Sequence, residues 1–164
     1  LTDLYNRRFC LENLEKMLEE GKEFTFCMID LDGLKYANDN FGHDAGDEYL
    51  KTVAQHLLQA SRSTDLICRI GGDEFIVFLH TSDPAVIHQK VKQLTKTLPK
   101  LLQREQINAE VTLSIGAALS QAGDTYPSLF SRADQAMYCA KQQGKNQFHL
   151  AEVRSDSRDR KNNE

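Results

Sequence analysis

The sequence has no C-x-x-C pair. Its four cysteines, Cys10, Cys27, Cys68 and Cys139, lie far apart, which removes zinc-ribbon and thioredoxin-type readings. No apolar stretch approaches the length of a membrane span, and no signal-peptide pattern is visible. Positive charge is not in excess: 20 Lys and Arg against 24 Asp and Glu leave a formal net charge of −4. A phosphate-studded polymer needs a basic face, so no nucleic-acid polymer is expected as a partner. A small phosphorylated ligand is compatible with this charge, because metal ions can neutralise it locally. The sequence also lacks a G-x-x-x-x-G-K-[ST] loop, a nucleophile elbow and any H-E-x-x-H spacing among its five histidines. P-loop phosphate binding, Ser-His-Asp hydrolysis and zincin chemistry therefore have no foothold.

What is present suits one globular domain: 164 residues, 40% hydrophobic and 27% charged. Cys27 and Cys68 sit inside apolar runs and read as buried thiols, which points to a reducing, cytoplasmic compartment. The chain opens on Leu1 rather than Met, close to its first helix, and is expected to be a piece of a longer protein. An upstream sensory or dimerisation domain, and any membrane attachment of the parent, would then lie outside it.

Asn6 is placed to cap a helix running to about residue 20, which Gly21 ends. Residues 24–31 are a nearly continuous apolar run and predict a strand buried on both faces. Leu34, Ala37, Asn38 and Phe41 share one face of a short helix that Gly42 stops. A long amphipathic helix follows from Asp44, with Asp47 in its first turn. Residues 66–70 and 75–80 are short strands joined by the turn "GGDE". Pro84 opens a helix to about residue 103, 111–119 is a strand, 128–143 a helix closed by Gly144, and 146–151 a last strand. Residues 1–151 form the expected domain, and the charged stretch 152–164 a solvated, disordered tail. Hairpins mixed with helical crossovers predict an α+β fold. Its core would be a mainly antiparallel five-stranded central sheet flanked by helices, ferredoxin-like or polymerase-palm-like.

Asp30 and Asp32 end the strand "FCMIDLD" and share a face with Met28 by the period of two. Asp73 and Glu74 sit in the turn. A carboxylate at the end of a buried strand is costly unless a cation or donors compensate it. Acids from two strand ends could cradle magnesium, which takes oxygen ligands, and paired metals serve nucleotidyl transfer. The bland alternative is that Asp ends strands because it starts turns, and that Gly71 and Gly72 tolerate the positive φ of a hairpin. Nothing in the spacing shows that Asp30 and Asp73 meet. Asn38 and Asp47 could together read a guanine edge, or Asp47 could complement the helix dipole while Asn38 bonds backbone. His43, beside Gly42, fits a structural or exposed role. Lys141 and Lys145 suit a helix C-terminus, and could equally anchor phosphates. Arg62 and Asp65 of "RSTD" are either a helix-end pair or contacts for a guanine edge or phosphate.

Together these segments resemble the GGDEF domain, the diguanylate cyclase catalytic domain, from Leu1 to about Phe148. "LTDLYNRR" is similar to the family's opening, with Asp3 where Gly is usual. "DLDGLKYANDNFGHDAGD" resembles D-x-D-x-F-K-x-x-N-D-x-x-G-H-x-x-G-D, with Leu34 for the usual Phe. "RIGGDEF" is the naming motif, intact. "TLSIGAA" and "ADQAMYCAKQQGKN" resemble later signatures, with Lys145 where Arg is commoner. The resemblance implies that Asp30, the Leu31 carbonyl and Asp73 hold magnesium, with manganese as the alternative. Glu74 would stand beside the reacting centre as metal ligand or general base. Asn38 and Asp47 would read guanine, His43 and Leu34 would help hold the nucleotide, and Gly71 and Gly72 would lie against it. Lys141 and Lys145 would bind terminal phosphates. Arg62 and Asp65 match the R-x-x-D inhibitory site and would bind product.

The implied activity is condensation of two GTP into cyclic di-GMP with loss of two pyrophosphates, across a homodimer whose halves face each other. Two rivals stand beside it, the first from another class and the second on the same fold. One is a silent module sensing GTP or cyclic di-GMP, against which the intact acids of the motif argue. The other is a cyclase using ATP in whole or part, against which Asp47 argues, since adenine presents an acceptor at N1.

Overall fold

Eight consecutive residues of one strand, all buried, set the centre of the molecule. The structure, a computed structural model, describes residues 4–104 and 112–152, with the backbone alone for 99–104. Asp3, Val111 and the expected tail from residue 153 onward lie outside the described residues. The elements run α1 (Arg7–Glu19), β1 (Thr25–Asp32), α2 (Leu34–Phe41), α3 (His43–Ala60), β2 (Leu66–Arg69), β3 (Glu74–Leu79), α4 (Pro84–Arg104), β4 (Thr112–Leu119), α5 (Tyr126–Gln142) and β5 (Phe148–Leu150).

The strands lie in the order β2-β3-β1-β4-β5. β1 pairs antiparallel with both β3 and β4, β2 and β3 form the hairpin, and β4 and β5 run parallel. The expected mainly antiparallel five-stranded sheet is therefore present, and helices cover both of its faces. Alternation along β1 sorts the core. Cys27, Ile29 and Leu31 point to the layer of Tyr49, Val53, Leu57, Ile87 and Val91. Phe26 and Met28 point the other way, to Leu14, Leu129, Ala133 and Met137. Phe26 meets Phe78 edge-on at 5.5 Å between centroids, an aromatic pair worth about 1 kcal/mol.

Local sequence explains the boundaries, including those that depart from expectation. Asn6 caps α1, its Oδ1 accepting from the Phe9 N–H at 2.9 Å. α5 starts at Tyr126 rather than at residue 128, because Thr125 and Ser128 form a reciprocal capping box with Pro127 in the first turn. β3 starts one residue early, at Glu74, which places that acid in the ladder opposite Asp30. β5 starts later than expected, because Asn146 (φ 49°), like Lys145 before it (φ 63°), takes a left-handed conformation outside the strand region. α3 starts at His43, so Asp44 is its first-turn acid and Asp47 lies a turn further in. A role for Asp47 as dipole partner is thereby removed.

α5 lies close on the sheet. A Cβ on Gly116 would come within 2.1 Å of the Ala133 carbonyl oxygen and 2.2 Å of the Met137 nitrogen. Glycine at this register partner of Met28 is what lets the helix backbone reach β4. The same seating aims the last turn of α5 at the end of β1.

Candidate active site

The β1–β3 register answers the question the spacing left open. Asp30 lies opposite Glu74, and the Leu31 N–H donates to the Asp73 carbonyl at 3.0 Å. In an antiparallel ladder one residue's N–H and C=O face the same neighbour, so the Leu31 carbonyl also points toward the turn. Asp30 is 7% exposed. Its Oδ2 accepts from the Lys141 ammonium, while its Oδ1 is buried without a hydrogen-bond partner. A buried carboxylate oxygen left unpaired is unfavourable, and a hard cation is the group that would satisfy it. Among the described residues, no three His, Cys, Asp or Glu side chains converge on one point for a metal. The side chains here are a pair, and an ion held by two carboxylates completes its shell with substrate, backbone or water oxygens. The residues present fit a divalent cation on that basis.

Burial pushes the Asp30 carboxyl up, and the neighbouring Asp73 charge adds to the push against the opposing pull of Lys141. Burial likewise raises the Glu74 carboxyl, helped by Asp30, Asp73 and Asp134 of α5. Both groups ionise less readily in the fold than in the unfolded chain. Their ionisation therefore takes stability away as pH rises from the ordinary carboxylate range through their raised values. Burial works against the Lys141 charge, but the Asp30 carboxylate and the charges of Asp32 and Asp73 outweigh it and hold the ammonium above the usual lysine value.

Asp32 does different work from its neighbour two residues away. Its carboxylate accepts from Thr112 Oγ1 at 2.7 Å and from Ser114 Oγ at 2.7 and 2.9 Å, and more distantly from the Asn146 N–H at 3.4 Å. It ties β1 to β4 and to the turn that carries Lys145. Thr112 and Ser114 were legible as a polar alternation in "TLS", but only the register shows which acid they meet. Arg69 is a second residue that the motifs did not single out. Its guanidinium donates to the carbonyls of Gly71 at 3.1 Å and Gly72 at 3.0 Å, clipping the turn closed. Neither Gly71 nor Gly72 takes a positive φ, so the hairpin reason for these glycines does not hold. A Cβ on Gly72 would meet nothing within 4 Å. What the two glycines supply is bare backbone facing solvent beside Asp73.

Asn38 and Asp47 come from adjoining helices. Gly46 makes the junction: its Cβ would stand 1.8 Å from Asn38 Oδ1, so the missing side chain is the space the amide fills. Among the described residues neither the Asn38 amide nor the Asp47 carboxylate has a hydrogen-bond partner, and both are half-buried. The expectation that Asn38 bonds backbone is not met. His43 is exposed at the start of α3, behind Gly42 at φ 87°. Leu34 packs into the core layer with Tyr49 and Val53 at the start of α2. Lys145 is exposed in the turn after α5, its N–H bonded to the Ala140 carbonyl at 3.0 Å.

Arg62 and Asp65 lie away from this cluster, at the start of β2. Arg62 is exposed and borders a cleft of ≈ 360 Å³ with Leu4, Tyr5 and Leu58. Asp65 is already engaged. Its side chain is 2% exposed and pairs with Lys90 at 2.7 Å, while the N–H groups of Arg62 and His80 donate to it at 3.0 and 3.1 Å. Burial tends to raise this carboxyl, yet the Lys90 ammonium and the two amides outweigh it and hold it below the usual range. A lowered carboxylate contributes stability that is present above its unfolded value and lost as pH falls through its folded value. Asp65→Ala is expected to lower unfolding free energy at neutral pH by about 3 kcal/mol, because it strands Lys90. Urea melts of both proteins at pH 7 and near pH 3 check this. The gap should shrink in acid, and an equal gap at both values would remove the ion pair as its source.

Known proteins resemble this chain in sequence and in fold. The family described as "Diguanylate cyclase, GGDEF domain" matches residues 1–147. The response regulator PleD of Caulobacter vibrioides is 36% identical over 154 residues, covering 89% of this chain and 34% of PleD. The diguanylate cyclase DosC of Escherichia coli K12 is 35% identical over 158 residues, covering 92% of this chain and 34% of DosC. The chain thus spans about a third of the length of these relatives. Among solved structures, the diguanylate cyclase SiaD of Pseudomonas aeruginosa, in complex with its activator SiaC, superposes with TM-score 0.83 at 32% identity, over 92% of this chain and 60% of that one. The GGDEF domain of PA1120 from the same organism gives 0.78 at 32% identity, over 94% and 100%. The Caulobacter crescentus DgcB domain in complex with c-di-GMP gives 0.79 at 25% identity, over 93% and 94%. By family match, sequence identity and fold alike, this chain belongs to the GGDEF family of diguanylate cyclase domains.

Proposed function

We propose that this domain condenses two GTP into cyclic di-GMP, as one half of a homodimer, in the cytoplasm. The observation that carries the reading is the meeting of Asp30 and Asp73 around a buried, unpartnered carboxylate oxygen. Asp30, Asp73 and the Leu31 carbonyl would hold magnesium. That ion would lower the pKa of the attacking hydroxyl and neutralise charge at phosphorus. Asn38 and Asp47 carry unspent polar atoms on adjoining helices, an amide and a carboxylate suited to the guanine edge. The bare turn at Gly71 and Gly72 leaves room for a phosphate to approach the backbone. Lys141, now on Asp30, and Lys145, in the following turn, would bind the terminal phosphates.

Each 3′-hydroxyl forms a bond to the α-phosphorus of the other nucleotide, and the bond from that phosphorus to the bridging oxygen breaks, releasing pyrophosphate. Glu74, with its carboxyl raised by burial and by neighbouring acids, would take the hydroxyl proton or join the metal ligands. One domain holds only half of the reacting atoms, so turnover depends on two domains facing each other. The segments of a parent protein beyond this chain would control that pairing. Product is proposed to bind at Arg62 and its cleft. With Asp65 bound to Lys90 and two amides, its part there is to fix the Arg62 backbone.

Three outcomes are expected. With magnesium and GTP at high protein concentration, chromatography should show cyclic di-GMP, absent with ATP alone and lost in Asp73→Ala. Product from ATP alone, or turnover surviving in Asp73→Ala, would overturn the reading. Arg62→Ala should weaken inhibition by added cyclic di-GMP several-fold while keeping most of the turnover. Gly46→Ala should melt no lower than wild type, since Ala favours a helix interior by about 1 kcal/mol over Gly. It should nevertheless raise KM for GTP about tenfold, because the new methyl evicts the Asn38 amide. An unchanged KM would separate Asn38 from base recognition.

A further inference from the structure

Lys141 is in an unexpected place for a phosphate anchor. Its ammonium sits on Asp30 Oδ2, the carboxylate whose other oxygen is the buried and unpartnered one. The lysine reaches there from the last turn of α5, 35% exposed, against 10% for the Asp30 side chain. It is the cation that compensates the end of β1 in this state, and the acids Asp32 and Asp73 both act on its charge. Lys145, four residues on, has no such contact and lies exposed in the following turn.

From this geometry we propose that Lys141 is a resident cation exchanged for the metal. It occupies Asp30 in the nucleotide-free domain and leaves for the polyphosphate when the metal nucleotide arrives. The proposal rests on the reading of Asp30 and Asp73 as metal ligands. An ammonium and a divalent ion on one buried carboxylate repel each other strongly. Metal alone must therefore displace the lysine into solvent with nothing to receive it. Metal arriving with a nucleotide offers Lys141 an anionic partner within reach of its flexible stem. Metal and nucleotide then favour each other's binding through this one side chain, and by linkage the coupling is reciprocal. The site stays closed to free divalent ions and opens to the loaded substrate. Among the described residues no other lysine or arginine forms an ion pair with Asp30, so the exchange has a single carrier.

The role differs from simple phosphate binding in the sign of one effect. A lysine that only anchors phosphate is neutral toward metal in the absence of nucleotide. A resident cation suppresses it. The test is Mn2+ binding followed by EPR and by titration calorimetry, with and without a GTP analogue that cannot react at its α-phosphate. It uses the full chain, Lys141→Met, Lys141→Gln and Lys145→Met. Without nucleotide, both Lys141 variants should bind Mn2+ more tightly than wild type, by roughly tenfold, the size of an ordinary coupling between sites. Lys145→Met should match wild type in that measurement. With the analogue present, wild type should gain Mn2+ affinity markedly and the Lys141 variants only slightly. If the variants bind Mn2+ no tighter than wild type without nucleotide, while wild type still binds it with the analogue, the exchange is overturned and the metal-site reading stands. If wild type binds no Mn2+ under either condition, both fall together.

Discussion

The structure depends on one buried carboxylate at the end of one fully buried strand. β1 runs through the centre of the sheet with both faces covered, and its apolar run leads straight to Asp30. Burial opposes ionisation there, and the Asp73 charge opposes it further. A polar group in such a place needs compensation, and the fold supplies it from a helix on the adjoining layer. That helix reaches the strand end only because Gly116 lets α5 lie flat on β4. The packing of the core and the electrostatics of the site are therefore one problem.

Around that carboxylate the acids divide their tasks by position. Asp30, at the end of β1, and Asp73, in the turn before β3, come together with unspent capacity. Asp32 accepts from the hydroxyls of Thr112 and Ser114 and from the Asn146 amide, and becomes a tie between strands. Asp65 is spent likewise, on Lys90 and two backbone amides, and fixes the junction of β2, β3 and α4. A carboxylate whose two oxygens both meet donors is structural, whereas one with an oxygen left open in a buried place is poised for a ligand.

The turn between β2 and β3 follows the same logic. Arg69 clips the Gly71 and Gly72 carbonyls and holds a loop that needs no left-handed dihedral. The glycines there clear the approach to Asp73. At Gly46 the clearance is filled by Asn38 instead. Glycine at both places acts through the atoms it does not have.

The sequence by itself determined the local elements and their order. The periods of two and of 3.6, the Asn6 cap and the glycine stops are written in neighbouring residues, because they depend on backbone geometry within a few positions. The motifs named the family for the same reason: their residues are contiguous. The boundaries that moved were those decided by particular caps and dihedrals, such as Thr125 with Ser128 before α5 and the left-handed Lys145 and Asn146 before β5. Only the tertiary structure decided which acids meet. Asp30 and Asp32 look alike in the chain, and Asp73 is 43 residues from Asp30. Strand register put Asp30 against Asp73 and Glu74, and gave Asp32 to the hydroxyls of β4. The helix–sheet contact placed Lys141 on Asp30, and packing buried Asp65 against Lys90. Such pairings join residues far apart in sequence, and their strength depends on burial, which belongs to the folded chain as a whole.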